Sequence, residues 1–378
     1  MILIKNGYVM TMAGDDIPNG SVLINDSGKI EAVGQNIEEP DNCTVIDAEG
    51  RLVTPGCIEA HSHIGLRIES LGWEGSEINE SSSPITPHMR AIDGINPNNE
   101  YFYEAIKGGV TTGCVGPGSS NVVCGTFSIV KYHGNSIDKM VVKNDVAMKC
   151  ALGENPKSTK KAPKTRMGSA ALFRELLFKA KAYQQEKDSG KEPKFDMKLE
   201  AMLPVMRKEI PLKCHAHRAD DIFTSIRIAK EFDLKLTLDH CTEGALIADE
   251  LAEEGYPALV GPMLWGRSKP EVKNKSHATA GVLHKAGVKI AIITDAPVIM
   301  QEKLPFCAGL AVVAGLPYQE GWKAITINPA EILGVDDRLG SLERGKDADI
   351  VIWTEDPLKK ICASAYTTII NGQVVYQK

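Results

Sequence analysis

Two pairs of histidines with identical spacing are the residues of this sequence best suited to chemistry. His61 and His63 follow one apolar run, and His215 and His217 follow another. Side chains two positions apart on a strand point to the same side, so His61 and His63 can hold one divalent ion through ring nitrogens at about 2.1 Å. A lone histidine in an apolar strand is more often a hydrogen-bonded core residue, but two such pairs favour a metal site. We expect His215 to be a further ligand and His217 to face a substrate.

His240 and Asp295 also follow apolar runs that predict strands. An unpaired carboxylate is costly to bury there, and a cation would give Asp295 a partner. The alternative is that Asp295 caps the next helix. Because a metal lowers the pKa of its water, Asp295 can take that proton as general base and pass it to a leaving nitrogen as general acid. His217 or His240, when not bound to the ion, could stabilise the resulting oxyanion.

Eight apolar runs, mostly separated by helical segments, would position these residues. Near-continuously apolar strands that alternate with helices are typical of a parallel sheet. We therefore predict an α/β fold, with a (β/α)8 TIM barrel over residues 55–339. Insertions at residues 66–98 and 155–167 follow predicted strands and would border the active-site face of such a barrel. The predicted strands lie near 57–63, 110–115, 126–131, 145–152, 211–216, 235–239, 257–262 and 289–294.

The two ends of the chain share a different pattern, in which short β-like runs alternate with turn residues. Asn371-Gly372 lies between two such runs and predicts a hairpin, since both residues tolerate the positive φ angles of a type I′ turn. Neither end is large enough to fold well alone. We therefore predict a small β-sandwich domain formed by residues 1–54 together with residues 340–378.

The composition argues against several classes of function. The 43 basic and 49 acidic residues give a net charge of −6, which disfavours general nucleic-acid binding. No run approaches the roughly 20 apolar residues that span a bilayer, and no leader pattern is seen at the first residues, so no membrane association is expected. The nine cysteines are scattered without a C-x-x-C pair, which favours a reduced, cytoplasmic setting.

With these motifs the sequence resembles the amidohydrolase superfamily, and most closely its imidazolonepropionase-like members. The resemblance covers almost the whole chain. It implies a metal-dependent hydrolase with a barrel and a composite β-sandwich, and it allows a homo-oligomer. The matching motifs are Val53-Thr54-Pro55-Gly56, His61-Ser62-His63, Gly109-Val110-Thr111-Thr112, Thr294-Asp295, Asn328-Pro329-Ala330-Glu331-Ile332-Leu333-Gly334, and the very specific residues 340–351.

The resemblance also implies a ligand set. His61, His63, His215 and Asp295 match the core metal ligands of the family, and His240 matches a ligand of its two-metal members. Such members need a bridging carboxylate, which a glutamate or a carboxylated lysine supplies. Glu154 and Lys149 are the two candidates, and we favour Glu154 because it is already anionic. One or two divalent ions, with zinc expected first, are therefore compatible with the sequence.

The leading functional hypothesis is hydrolysis of a C–N bond in a small molecule, such as an amide, a cyclic amide or a dipeptide-like compound. A deaminase with a single metal ion is the alternative within catalysis. A non-catalytic scaffold is the alternative outside it, but such a protein is expected to have replaced the histidines at the strand ends, and this sequence keeps them. The sequence does not specify the substrate.

Overall fold

Two eight-stranded sheets form the framework of the protein in a computed structural model, which describes residues 1–67, 72–160, 162–264 and 266–378. Residues 68–71, part of the first predicted insertion, lie outside the described residues. In chain order the strands are β1 Ile2–Val9, β2 Ile17–Ile24, β3 Ile30–Gly34, β4 Thr44–Asp47, β5 Leu52–Pro55, β6 Cys57–Ser62, β7 Val110–Val115, β8 Val123–Lys131, β9 Val141–Ala151, β10 Leu212–Ala216, β11 Leu236–His240, β12 Ala258–Val260, β13 Ile290–Ile292, β14 Ile350–Trp353, β15 Ala365–Ile370 and β16 Gln373–Gln377.

Helices connect most strands of the middle of the chain, and their ends follow the sequence signals. Asn99 caps the first helix, where its side chain accepts a hydrogen bond from Tyr101 N. Gly255 and Gly287 end two later helices with φ of 73° and 96°, a conformation that glycine adopts without strain. No helix within the described ranges is long and apolar enough to cross a bilayer. The helices are α1 Glu100–Lys107, α2 Ile137–Met140, α3 Arg166–Asp188, α4 Met197–Met206, α5 Ala219–Glu231, α6 Ala248–Glu254, α7 Thr279–Ala286, α8 Leu304–Val313, α9 Tyr318–Lys323 and α10 Ile327–Leu333.

The eight predicted apolar runs form the strands β6 to β13, which lie side by side in sequence order. The sheet curves until its first and last strands approach each other. At that junction the amide of His63 donates to the carbonyl of Ala296 over 2.7 Å. The predicted α/β class is confirmed, and the sheet is a nearly closed barrel whose strand ends converge on one face.

The prediction of an all-parallel barrel is wrong at the third strand. β8 pairs antiparallel with both β7 and β9, whereas the other neighbouring strands of the barrel pair in parallel. Parallel neighbours need a crossover of about a dozen or more residues. Only residues 116–122 separate β7 from β8, and residues 132–140 separate β8 from β9. These connections are too short for crossovers, so β8 forms hairpins with both neighbours.

Strands from both ends of the chain form the second sheet, in the order β16-β15-β14-β5-β1-β2-β3, with β4 also paired to β1. The N-terminal β5 pairs with the C-terminal β14, with Pro55 opposite Ile350. The predicted hairpin is confirmed, since β15 and β16 are antiparallel and Asn371 and Gly372 have φ of 50° and 72°. The two ends thus share one continuous sheet, while the two-layered sandwich stays a prediction.

A buried group of charges joins this second sheet to the barrel. Lys131, at the end of β8, donates to Asp347 over 2.7 Å, to Asp349 over 3.0 Å, and to the side chain of Asn371. All three charged side chains are largely buried. Because buried charges are tolerated only with close partners, this cluster fixes the antiparallel strand against the terminal sheet.

Candidate metal centre

Seven polar side chains lie at or just beyond the carboxyl ends of five barrel strands. β6 contributes His61 and His63, β10 contributes His215 and His217, and β11 ends at His240. Asp295 follows β13, and Lys149 lies near the end of β9. Parallel strands place their carboxyl ends on the same face of a barrel, so residues far apart in sequence meet here.

His61, His63 and Asp295 form the tightest group among these residues. Asp295 Oδ1 lies 3.2 Å from His63 Nε2 and 3.6 Å from His61 Nε2. Two ligand atoms about 2.1 Å from one ion at a tetrahedral angle lie roughly 3.4 Å apart. The spacing of these three atoms therefore fits a shared divalent ion.

Hydrogen bonds at the other ring nitrogen fix the orientation of three of the histidines. His61 Nδ1 lies 2.6 Å from Asp239 Oδ2, and His63 Nδ1 lies 2.6 Å from the carbonyl of Gly116. His240 Nδ1 lies 2.9 Å from the carbonyl of Gly261. Each Nδ1 thus donates its proton to an oxygen, which leaves the lone pair on Nε2. This outer arrangement is typical of metal-binding histidines.

Burial favours the neutral form of four histidines of the cluster. It lowers the pKa of His61, His215, His217 and His240 well below the usual histidine value, and nearby cations or histidines lower each pKa further. A neutral imidazole retains a lone pair and is the form that binds a metal. These four rings are therefore in the ligand form at neutral pH.

His215 extends the cluster away from Asp295. Its ring centroid lies 4.3 Å from that of His240 and 4.6 Å from that of His217, and His240 in turn lies 5.2 Å from His61. His215 Nε2 is buried and has no hydrogen-bond partner among the described residues. Since a buried polar atom is costly without a partner, this nitrogen also fits a metal ligand.

His217 lies at the far side of the cluster, next to a buried carboxylate that the sequence analysis did not identify. Its Nδ1 lies 2.8 Å from Thr242 Oγ1, and its Nε2 lies 3.9 Å from Glu271 Oε1. Ligand atoms of His215, His217 and Glu271 all lie within 4.8 Å of one another. His217 can therefore contact either a substrate or a second ion.

Glu154, our preferred bridging residue, does not lie among the histidines. Its carboxylate is 38% exposed and pairs with Lys157 over 2.9 Å and with Arg166 over 2.7 Å. The alternative, Lys149, is fully buried and donates to His61 Nε2 over 3.0 Å. The preference for Glu154 is thus corrected in favour of Lys149, because β9 ends at Ala151 and the chain has already left the barrel at residue 154.

Three buried ionisable side chains beneath the cluster, those of Asp239, Lys213 and Glu59, were not assigned a role from the sequence. Asp239 accepts from Lys213 over 3.1 Å in addition to His61. Glu59 accepts from the amide of Thr294 over 2.9 Å and from its hydroxyl over 2.5 Å. Glu59 and Lys213 each precede a cluster histidine by two positions, so the two-residue period of a strand could have identified them.

A cavity of about 430 Å³ opens above these side chains. His63, His215, His217, His240 and Asp295 all line it. Its volume lies within the range of small-molecule sites. The cluster is therefore accessible to a small molecule, and the side chain of Asp295, 16% exposed, lines the cavity.

Comparisons with known proteins agree with this architecture. Residues 212–375 match the amidohydrolase family. A crystal structure of an amidohydrolase from Thermotoga maritima is 41% identical, with both chains covered in full and a TM-score of 0.96. The amidohydrolase tasK of Hapsidospora irregularis is 28% identical over 90% of this chain, although the match spans only 38% of tasK. The imidazolonepropionase of Phocaeicola vulgatus is 25% identical over 94% of this chain and 92% of its own length.

Proposed function

Because the chain belongs to the amidohydrolase family, we propose that it is a metal-dependent enzyme that hydrolyses a carbon–nitrogen bond of a small molecule. The bond would lie in an amide, a cyclic amide or a dipeptide-like compound. The observation that carries the proposal is the spacing of the ligand atoms of His61, His63 and Asp295, of which His63 and Asp295 line the cavity. We propose zinc as the ion, since imidazole nitrogens and a carboxylate oxygen are ligands that it prefers.

Asp295 is the residue that we assign to proton transfer. A divalent ion bound at this site would lower the pKa of a water molecule and polarise a substrate carbonyl. The Asp295 carboxylate lies beside His63 and faces the cavity, so it can accept a proton from the attacking water. The same carboxyl can then protonate the leaving nitrogen, which leaves as an amine while the carbonyl carbon becomes a carboxylate.

His217 is the residue that we assign to the oxyanion. Its ring faces the cavity, and Thr242 can donate to its Nδ1. In that tautomer Nε2 carries the proton and can donate to the oxygen that gains negative charge in the transition state. His215 and His240 then remain available as metal ligands, with Lys149 as the bridging group if it is carboxylated.

The test is a screen of the purified protein, with its metal content measured, against amides, cyclic amides and dipeptides. We expect hydrolysis that is lost on chelation and restored by zinc. Asp295→Asn should retain most of the metal while the turnover number falls by about 100- to 10,000-fold, the size of a general acid–base contribution. Near-normal turnover in this variant would refute the assignment of Asp295.

A deaminase with one ion is the second candidate. Among the described residues that line the cavity, Asp295 is the only acidic one, so the cavity wall offers a single carboxylate to a metal ion. If Lys149 stays uncarboxylated, no bridging carboxylate is available among the described residues, and the site would then hold one ion. Release of ammonia from aminated rings, with one ion per chain, would support this candidate, whereas release of amines from amides would exclude it. A protein with no bound metal and no activity on either panel would instead support the scaffold alternative.

A further inference from the structure

The charge of the cavity wall is opposite to that of the whole chain. The chain carries a net charge of −6, yet Arg67, Lys269 and Lys275 line the cavity and face a single lining carboxylate, that of Asp295. In the proposed function that carboxylate is committed to the ion and to proton transfer. The remaining charges of the wall are therefore cationic.

Lys269 is held in place by an ion pair and a hydrogen bond. Its Nζ lies 2.6 Å from Glu271 Oε1 and 2.6 Å from Asn155 Oδ1, and Glu271 is buried. The second oxygen of Glu271 accepts from the amide of Glu154 over 2.9 Å. Glu271 offsets the charge of Lys269 but also fixes its position, so little side-chain entropy is left to lose when a ligand binds.

Lys275 comes from the same connection between β12 and α7 and lines the cavity together with Asp295. Its charge interacts with that of Asp295, and both lysines act on His217. The adjacent Asn274 donates to Glu243 over 2.8 Å, and Lys275 N donates to the carbonyl of Val272 over 3.2 Å. The backbone that carries Lys275 is thus anchored on both sides.

From this arrangement we propose that the cavity contains an anion subsite, formed mainly by Lys275 with support from Lys269 and Arg67. It would bind a carboxylate or phosphate group on the part of the substrate that does not react. This inference rests on the proposed hydrolysis and deepens it, because it names the substrate class: small amides with an anionic group. Cationic side chains on cavity walls bind such groups through charge-assisted hydrogen bonds.

The experiment compares pairs of substrates that differ in the charge of the remote group, and it follows only the bond common to both members, by release of acetate or by opening of the hydantoin ring. N-acetylglycine is paired with N-acetylglycinamide, and hydantoin-5-acetate with hydantoin-5-acetamide. A phosphate arm pairs N-acetylaminoethyl phosphate with N-acetylethanolamine. For each pair the readout is the ratio of kcat/KM for the anionic member to that for the neutral member. The pair with the largest ratio shows whether the subsite prefers a carboxylate or a phosphate group.

We expect the wild-type ratio to exceed one and to decrease as salt is added, since salt screens the attraction. Lys275→Met should lower the ratio by about 10- to 100-fold, the size of one hydrogen bond to a charged group, mainly through KM. Lys275→Arg should restore most of the preference. Lys273→Met is the matched control, because Lys273 belongs to the same connection but does not line the cavity, and it should keep the wild-type ratio.

The possible failures can be told apart. A wild type that hydrolyses neutral members as well as anionic ones would overturn the anion subsite while the proposed hydrolysis stands. Failure to hydrolyse any amide would refute the proposed function. In that case, calorimetric titration of the metal-loaded protein with N-acetylglycine and N-acetylglycinamide still tests the subsite. Equal affinity for the two, or equal affinity in wild type and Lys275→Met, would overturn it.

Discussion

Replacing Asp239 by asparagine should weaken both the metal site and the fold, and the two effects can be separated. Asp239 is fully buried. One of its oxygens accepts from His61 Nδ1 over 2.6 Å and lies 3.1 Å from Lys213 Nζ, and the other accepts from Thr237 Oγ1 over 2.7 Å. Asparagine keeps the shape but removes the charge. Both the proposed metal ligand and the buried ammonium therefore lose their anionic partner.

The magnitudes follow from these contacts. Loss of an outer partner of a metal-binding histidine typically weakens metal binding by about 10- to 100-fold, which corresponds to about 1.4–2.7 kcal/mol. Breaking one side of a buried ion pair costs about 3–5 kcal/mol of the free energy of unfolding. Thr237→Val is a milder change at the same carboxylate and serves as the comparison for Asp239→Asn. It removes only the hydrogen bond from the Thr237 hydroxyl to the Asp239 carboxylate and should cost about 1.5–3 kcal/mol with little change in metal affinity.

The assay combines competition with a chromophoric chelator, which gives the metal affinity, and urea unfolding, which gives stability. The double variant Asp239→Asn/Lys213→Met makes the test sharper. Removing both charges should recover much of the stability, but it should not recover the affinity, because His61 still lacks its carboxylate. An affinity of Asp239→Asn within twofold of the wild type, or a double variant with restored affinity, would refute the reasoning.

Three further outcomes are expected. His61→Ala should lose the metal while His217→Ala keeps it, as elemental analysis would show, and equal metal content in both variants would overturn the ligand assignment. In the metal-free protein, burial raises the pKa of Glu59 from 4.5 to about 8. The folded state therefore keeps a proton that the unfolded state releases, and the free energy of unfolding should fall between these pH values by up to about 1.4 kcal/mol per unit. Glu59→Gln should flatten that pH dependence in urea unfolding, and an unchanged slope would contradict the assignment. Lys131→Met should destabilise the protein by about 3–5 kcal/mol, because it leaves Asp349 buried without its cation, and a loss below 1 kcal/mol would show that the cluster is not important for stability.

The sequence was informative wherever apolar runs mark where a strand ends. His61, His215 and Asp295 could be placed on a common face because parallel strands end together. The same argument does not distinguish Lys149 from Glu154, since it needs the strand end to within two residues. β9 ends at Ala151. Lys149 therefore still belongs to the strand and is buried in the barrel, whereas the chain has left the barrel before residue 154.

Other features could not be predicted because they depend on the path of connections. The direction of β8 follows from connections that are too short for a crossover on either side, but an apolar run has the same pattern in both directions. Glu271 and the two cavity lysines lie between β12 and α7, in a segment that contains a three-residue 3-10 helix, Pro270–Val272, too short to give the sequence a recognisable period. Their approach to His217 is set by tertiary contacts alone.

The pairing of β5 with β14 has a consequence for how the protein is made. During synthesis, residues 2–55 emerge from the ribosome almost 300 residues before Ile350, the partner of Pro55. Until then β5 has an unsatisfied edge, and such edges are templates for pairing with other chains. Translation products that stop before β14 would therefore be prone to aggregate, even with every barrel strand complete.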